Sequence, residues 1–167
     1  GVPIPRTLYQ KRVTVVGFGA VGQVLTRYLV AMGAQVQVVR KREWTTTTDD
    51  NDNGDYKNMI KAKSLEAALP TTDLLILACI MTPDTFHLLN DTAISLLPRG
   101  ALVVNVGRGP LVEHGAILRA LQSGHVGGFA SDVGVGHPTK PSEPWDPQDE
   151  LSLLENTLFT PHVAGYS

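Results

Sequence analysis

The sequence predicts an α/β fold in which helices cover both faces of an open parallel sheet, and three observations favour it. Strand-like and helix-like segments alternate along the 167 residues, which is typical of parallel strands joined by right-handed helical crossovers. Two of the strand-like segments, 73–79 and 101–106, are mostly apolar, as central strands covered on both faces should be. The third observation is a β-branched segment at 13–16 that breaks into glycines and continues as a helix-like pattern. We therefore expect a single doubly wound domain.

The individual elements follow from local patterns. Strands are predicted at 13–16, 36–39, 60–62, 73–79, 101–106, 126–131 and 157–160. A first helix ends at Gly33, and further helices are predicted at 64–69, 91–97 and 112–122, with Ser64 and Asp91 as N-caps. A polar segment at 45–55 predicts a surface insert, and a segment rich in glycine and proline at 134–147 predicts a long loop. Residues 1–10 are expected to be a connector and residues 11–167 the domain.

The glycine-rich turn predicts a site for a diphosphate. Gly17 allows the sharp turn, Gly19 lets the backbone approach a pyrophosphate, and Gly22 lets the helix pack closely on the strand. The amides of Ala20 and Val21 open that helix, where unpaired N–H groups carry partial positive charge. The predicted fold is thus of the Rossmann type, and the predicted ligand is a dinucleotide.

Three basic residues close the second predicted strand, where dinucleotide-binding units usually place a carboxylate that accepts from the adenosine ribose. They are Arg40, Lys41 and Arg42. One interpretation is a solvated basic turn, and the other is a clamp for a 2′-phosphate. The second favours NADP over NAD.

Composition excludes several classes of function. A net charge of −2 argues against a nucleic-acid partner, and no run of 18 apolar residues predicts a membrane span. The single Cys79 is expected to be a buried apolar side chain in a reducing compartment, which favours a cytoplasmic location unless an upstream segment targets an organelle. No metal-ligand spacing occurs, so no metal is expected. Three histidines lie in turn or helix positions without any partner pattern and are interpreted as surface residues: His87, His114 and His125.

Three chemically capable side chains follow predicted strands. Arg108, Asp132 and His162 come after the fifth, sixth and seventh strands, and ligands of such sheets bind beyond the carboxyl ends of the strands. The three side chains are therefore expected to converge on the crevice that the glycine turn also faces. Each has a plainer interpretation, as a solvated loop arginine, a turn aspartate or a strand-end histidine.

Five motifs carry a resemblance to a known family: GFGAVG at 17–22, NVGRGPLV at 105–112, SDV at 131–133, SEP at 142–144 and TPHVAG at 160–165. With them the chain resembles the D-isomer-specific 2-hydroxyacid dehydrogenases from about Leu8 onward. The resemblance implies hydride transfer between NAD(P)H and a small 2-oxo or 2-hydroxy acid such as glyoxylate, hydroxypyruvate or 3-phosphoglycerate. It also implies a substrate domain that these residues lack, no turnover by this segment alone, and a homodimer at full length.

The resemblance implies specific roles that agree with the chemistry of each side chain. Arg108 would hold the substrate carboxylate in two parallel hydrogen bonds, and His162 would exchange the proton. Glu143 would favour the protonated form of His162, and Asp132 would accept from the nicotinamide carboxamide or its ribose. The remaining cofactor contacts would come from Val106, Gly107, His162 and Gly165.

The partner of His162 is ambiguous because the chain departs from the family spacing. Relatives usually place a Glu-Pro pair five residues after the aspartate, and that count here reaches His137 and Pro138. We favour Glu143 because SEPWDP reproduces the neighbours of the family motif, which implies an insertion of six residues before it. A second imidazole would also oppose protonation of His162, whereas a carboxylate supports it.

A second class of function also fits the glycine turn. A dinucleotide-sensing module without catalysis, like the corepressors of this family, would need only that turn. Retention of Arg108, Glu143 and His162 together favours the enzyme.

Overall fold

The computed structural model describes residues 7–44, 56, 58–134 and 149–162. Within them lie seven β-strands: β1 Arg12–Val16, β2 Gln35–Val39, β3 Ile60–Lys61, β4 Leu74–Leu77, β5 Ala101–Asn105, β6 Val126–Ser131 and β7 Thr157–Phe159. They form one sheet in the order β3-β2-β1-β4-β5-β6-β7, and every neighbouring pair is parallel. The predicted insert at 45–55 and most of the predicted loop at 134–147 lie outside the described residues.

Four α-helices connect these strands in the described part of the chain: α1 Ala20–Ala31, α2 Leu65–Ala68, α3 Asp91–Ser95 and α4 His114–Gln122. Short 3-10 segments occupy Leu69–Thr71, Gly109–Leu111 and Glu150–Leu153. Leu29 of α1 packs with β1 and β2 on one face of the sheet, and residues of α2, α3 and α4 pack on the other. The predicted doubly wound parallel sheet is confirmed.

The strand order reverses direction between β1 and β4, which places a crevice at their carboxyl ends. The glycine turn after β1 therefore lies at the point where open α/β sheets bind ligands. Gln10 at the end of the predicted connector donates its backbone N–H to Gly33 O at 2.8 Å, and Leu8 packs against the core.

In the described residues, helices lie on both faces of the sheet, but the face that carries α1 is only partly covered. The register joins Val15, Ile76, Val104, Ala130 and Leu158 in one row across the sheet. Val15 beneath α1 is fully buried and Ile76 is 6% exposed, whereas Leu158 on the edge strand β7 is 64% exposed. The apolar row thus becomes accessible with distance from α1.

Some predicted helix ends were wrong. Ser64 caps α2 as expected and accepts from the backbone N–H of Ala67. Asn90, not Asp91, caps α3, because its side-chain oxygen accepts from Ala93 N at 3.0 Å. The helix predicted from residue 112 begins at His114, because Val112 instead forms a parallel bridge with Leu89.

The interpretation of these three histidines as surface residues was wrong, because each is partly buried and makes a specific contact. His114 Nε2 lies 2.9 Å from both carboxylate oxygens of Asp149. His125 Nε2 lies 2.9 Å from the carbonyl oxygen of Ile94, and the half-buried His87 stacks on Phe86 with ring centroids 3.9 Å apart.

No helix among the described residues is long and apolar enough to cross a membrane.

Candidate functional site

Two glycines of the turn after β1 are required by close backbone approach. Gly17 has a φ of +103°, and a Cβ on it would lie 2.8 Å from the carbonyl oxygen of Ala78 after β4. A Cβ on Gly22 would lie 2.1 Å from the carbonyl oxygen of Gly17. A side chain at Gly22 would separate α1 from the turn, and a side chain at Gly17 would separate the turn from the backbone that follows β4.

The N-terminus of α1 faces open space. Gly19 is its N-cap, without a side-chain capping bond and without an acidic residue in the first turn. A Cβ on Gly19 would meet no atom within 4 Å, and the neighbouring Ala20 and Val21 are exposed. First-turn amides without a side-chain cap form a site for an anion. The geometry therefore fits the pyrophosphate of a dinucleotide.

A cleft runs from this helix end along the carboxyl ends of β4 and β5. It has a volume of about 380 Å³. Its walls are mainly apolar, with one arginine at the rim; the lining residues are Val21, Ala78, Cys79, Ile80, Met81, Val106, Gly107 and Arg108. Such a mixture of apolar surface and a few polar groups is typical of cofactor and substrate sites.

Cys79 is half-buried in this cleft rather than fully enclosed as predicted. It also contacts the larger apolar core. Burial raises the pKa of its thiol, and a backbone hydrogen bond only partly offsets that effect. The thiol is therefore neutral at neutral pH.

The turn that carries Arg108 is held by Asn105, the last residue of β5. Asn105 is fully buried; its Nδ2 donates to Arg108 O at 2.9 Å, and its Oδ1 accepts from Gly107 N at 3.0 Å. The Arg108 side chain is exposed and donates through Nη1 to Gly107 O at 2.7 Å. Asn105 is a positioning residue that sequence reasoning did not single out, although a polar side chain ending an apolar strand is a usable signal.

Asp132 is held at the end of β6 by the end of β7. Its side chain is almost buried, with 9% of the residue exposed, and Thr160 Oγ1 donates to Asp132 Oδ1 at 2.5 Å. Thr160 N also donates to Ser131 O at 3.0 Å. Thr160 is a second positioning residue that the sequence did not single out.

His162 lies at the end of the last described segment, after β7. It is exposed, has a φ of +57°, and donates its backbone N–H to Thr160 O at 2.9 Å. Arg108, Asp132 and His162 thus follow three adjacent strands at one edge of the sheet. Glu143, His137 and Gly165 lie outside the described residues.

The basic turn after β2 is ordered by an aromatic side chain. The Arg40 guanidinium lies 3.8 Å from the ring centroid of Trp44, and its Nη2 donates to Glu43 O at 2.7 Å. Lys61 of β3 places its Nζ 5.2 Å from the same ring. Lys41 pairs with Asp84, while Arg42 is exposed. Lys61 is a further cation near this turn that the sequence alone did not indicate.

The fold and this edge define a dinucleotide-binding α/β domain, because uncapped helix amides meet a glycine turn where the strand order reverses. Within the described residues, no group of three His, Cys, Asp or Glu side chains could hold a metal ion. Residues 3–164 match the family described as D-isomer specific 2-hydroxyacid dehydrogenase, NAD binding domain. The chain belongs to this family.

Individual relatives agree with that assignment. The chain is 30% identical over 158 residues to a glyoxylate reductase from Pyrococcus furiosus, covering 95% of this chain and 43% of the relative. It is 30% identical over 174 residues to a D-lactate dehydrogenase from Lactobacillus delbrueckii subsp. bulgaricus, covering 98% and 49%. The chain therefore spans less than half the length of either.

A solved structure also matches the whole chain. It is a D-isomer specific 2-hydroxyacid dehydrogenase from Xanthobacter autotrophicus Py2 in complex with NADPH and MES, with a TM-score of 0.80 and 28% identity. The match covers 100% of this chain and 64% of that one. The NAD-binding assignment of the domain thus rests on both sequence and structure.

Proposed function

We propose that this chain is the cofactor-binding part of an enzyme that transfers a hydride between NAD(P)H and a small 2-oxo or 2-hydroxy acid. The observation that carries the proposal is the uncapped N-terminus of α1, open at Gly19 and adjoining a cleft with Arg108 at its rim. The bound nicotinamide cofactor supplies the hydride. Relatives named glyoxylate reductase and D-lactate dehydrogenase support this substrate class. No observation favours the alternative of a sensing module without catalysis.

The residues of the chain act by binding and orienting. The amides that open α1 hold the pyrophosphate, and Asp132, fixed by Thr160, accepts from the nicotinamide carboxamide or its ribose. Arg108 binds the substrate carboxylate through its planar guanidinium, on a turn that Asn105 holds in place. The proposed cofactor contacts include Val106, which lines the cleft.

His162 exchanges the proton in this proposal, and Glu143 favours its protonated form. In the full-length enzyme, Glu143→Gln should move the pH dependence of reduction to lower pH, because the imidazolium loses the nearby carboxylate. His137→Ala should change rate and profile little. The opposite pattern, a lost activity in His137→Ala and an unchanged profile in Glu143→Gln, would reverse this assignment.

Two further expectations concern the full-length protein. We predict that it forms a homodimer and that its location is cytoplasmic.

We further propose that the cofactor is NADPH rather than NADH. Arg40 and Lys41 follow β2, where the adenosine ribose of a dinucleotide lies in this fold. Arg40 is oriented by Trp44 and Glu43, so its guanidinium loses less freedom on binding a 2′-phosphate. The NADPH complex of the Xanthobacter autotrophicus structure supports the same cofactor.

Calorimetric titration of the chain with NADPH and NADH tests this preference. We expect tighter binding of NADPH, and Arg40→Ala should weaken NADPH binding by roughly ten- to a hundredfold, since hydrogen bonds to charged groups contribute about 1.5–3 kcal/mol. NADH binding should change much less. Arg12→Ala is a matched control, because Arg12 lies at the amino end of β1, away from the carboxyl ends of the strands, and pairs with Asp73. Equal or tighter binding of NADH by the unaltered chain would disprove the preference.

A further inference from the structure

An ion pair joins the two loops that flank the glycine turn. Lys41 follows β2 and Asp84 follows β4, and the Lys41 ammonium contacts the Asp84 carboxylate. In the sheet, β2 and β4 lie on opposite sides of β1, about 10 Å apart at the usual strand spacing. The ion pair therefore extends across the carboxyl end of β1, where the glycine turn begins.

Both partners are held on ordered backbone. Asp84 lies in a turn in which Thr82 N donates to Thr85 Oγ1 at 2.7 Å and Phe86 N donates to Thr82 O at 2.9 Å. Lys41 directly follows Arg40, whose guanidinium stacks on Trp44. The Asp84 carboxylate is thus fixed close to the basic turn, and Lys41 lowers the pKa of that carboxyl group. Asp84 carries a negative charge at neutral pH.

We propose that Asp84 is a specificity-determining residue that weakens binding of a 2′-phosphorylated cofactor relative to an unphosphorylated one. The inference rests on the proposed function, because it requires that residues 40–42 receive the adenosine end. The Asp84 carboxylate pairs with the Lys41 ammonium and so competes with the 2′-phosphate for that cation. The negative charge of Asp84 also repels the phosphate directly. A ribose 2′-hydroxyl is neutral and experiences neither effect.

The exposure of the pair makes this a test of binding rather than of folding. The Lys41 and Asp84 side chains are 82% and 67% exposed, and such surface pairs contribute little to stability. Removing the carboxylate should leave the fold intact. The effect on binding is also expected to be moderate, because water and salt screen exposed charges.

The experiment compares Asp84→Asn with the unaltered chain in titrations with NADPH and NADH at low ionic strength. We expect NADPH to bind about three to ten times more tightly to Asp84→Asn, and NADH to change by less than about twofold. The NADPH gain should shrink in high salt. Asp91→Asn is the matched control, because Asp91 also forms an exposed ion pair, with Arg119 of α4, and it should change neither affinity.

Lys41→Ala separates failure of this inference from failure of the proposed function. Lys41→Ala should weaken NADPH binding. Adding Asp84→Asn to Lys41→Ala should increase the affinity for NADPH by a smaller factor than Asp84→Asn does in the unaltered chain. If Lys41→Ala weakens NADPH binding but Asp84→Asn leaves the affinity for NADPH unchanged, the role of Asp84 is disproved and the basic clamp stands. If Arg40→Ala and Lys41→Ala both leave NADPH binding unchanged, the clamp itself is wrong and the inference falls with it.

Discussion

Cys79 is the single cysteine of the chain and lines the cleft, so the reactivity of its thiol measures how accessible the cleft is. Burial raises the pKa of its thiol, and the thiolate is the form that alkylating reagents attack. We therefore expect alkylation by iodoacetamide to be slow near neutral pH and its rate to rise only above the ordinary cysteine pKa of about 8.5. Unfolding the chain in urea should restore the ordinary profile.

The same reaction also tests whether the cleft holds the cofactor. Cys79 lines the cleft beside Val106 and Gly107, so saturating NADPH should slow its alkylation further in the folded chain. A rate that rises at or below the ordinary pKa would contradict the burial effect. An unchanged rate with saturating NADPH would contradict the placement of the cofactor in this cleft.

Residues with local geometric roles were predictable, and residues with distant partners were not. Gly17 and Gly22 are identifiable from sequence because a tight turn with a φ of +103° needs the first, and the second approaches the carbonyl group of Gly17 within the same motif. Thr160 reaches Asp132 across 28 positions, and His114 reaches Asp149 across 35. Such pairings depend on which strands lie side by side, so no local pattern reveals them. The same reason explains why His114 was interpreted as a surface residue.

At the scale of elements, the pair of His114 and Asp149 joins α4 to the segment that leads into β7. Both side chains are only 13% exposed. Asp149 also caps the 3-10 segment Glu150–Leu153 by accepting from Leu151 N at 2.9 Å. Thr157 Oγ1 at the start of β7 donates in turn to Leu151 O at 2.7 Å. The pair therefore anchors the strand that is followed by His162.

We expect His114→Ala to destabilise the chain by about 1–3 kcal/mol, because Asp149 loses a partner in a nearly buried place. The midpoint of thermal unfolding should fall by roughly 2–10 °C. Hydrogen exchange should accelerate most in β7 and least in the central strand β1. Asp149→Asn is the milder comparison, since its amide oxygen can still cap Leu151 N. If His114→Ala melts at the same temperature as the unaltered chain, the pair does not anchor β7.

The alternation of elements was predictable at the scale of the whole domain, but the coverage of the sheet was not. Apolar segments on both faces of β4 and β5 predict helices on each side. In the described residues α2, α3 and α4 all lie on one face, and α1 covers the other only near β1 and β2. Right-handed crossovers explain this, because the connections from β3 to β4, from β4 to β5 and from β5 to β6 all advance in the same direction across the sheet and therefore pass over the same face.

The accessible part of the apolar row gives the last prediction. Leu158 is 64% exposed on the edge strand β7, and exposed apolar edges favour association between chains. We expect the 167-residue chain to show an apparent mass in sedimentation that rises with concentration, and Leu158→Lys to reduce that rise. Its thermal stability should change by less than about 0.5 kcal/mol, because an exposed side chain loses little packing. Leu153→Lys is the matched control: Leu153 is 72% exposed, in a segment whose Leu151 packs with α2, α3 and α4 on the opposite face. An equal reduction in both variants would show that added charge, and not this face, governs association.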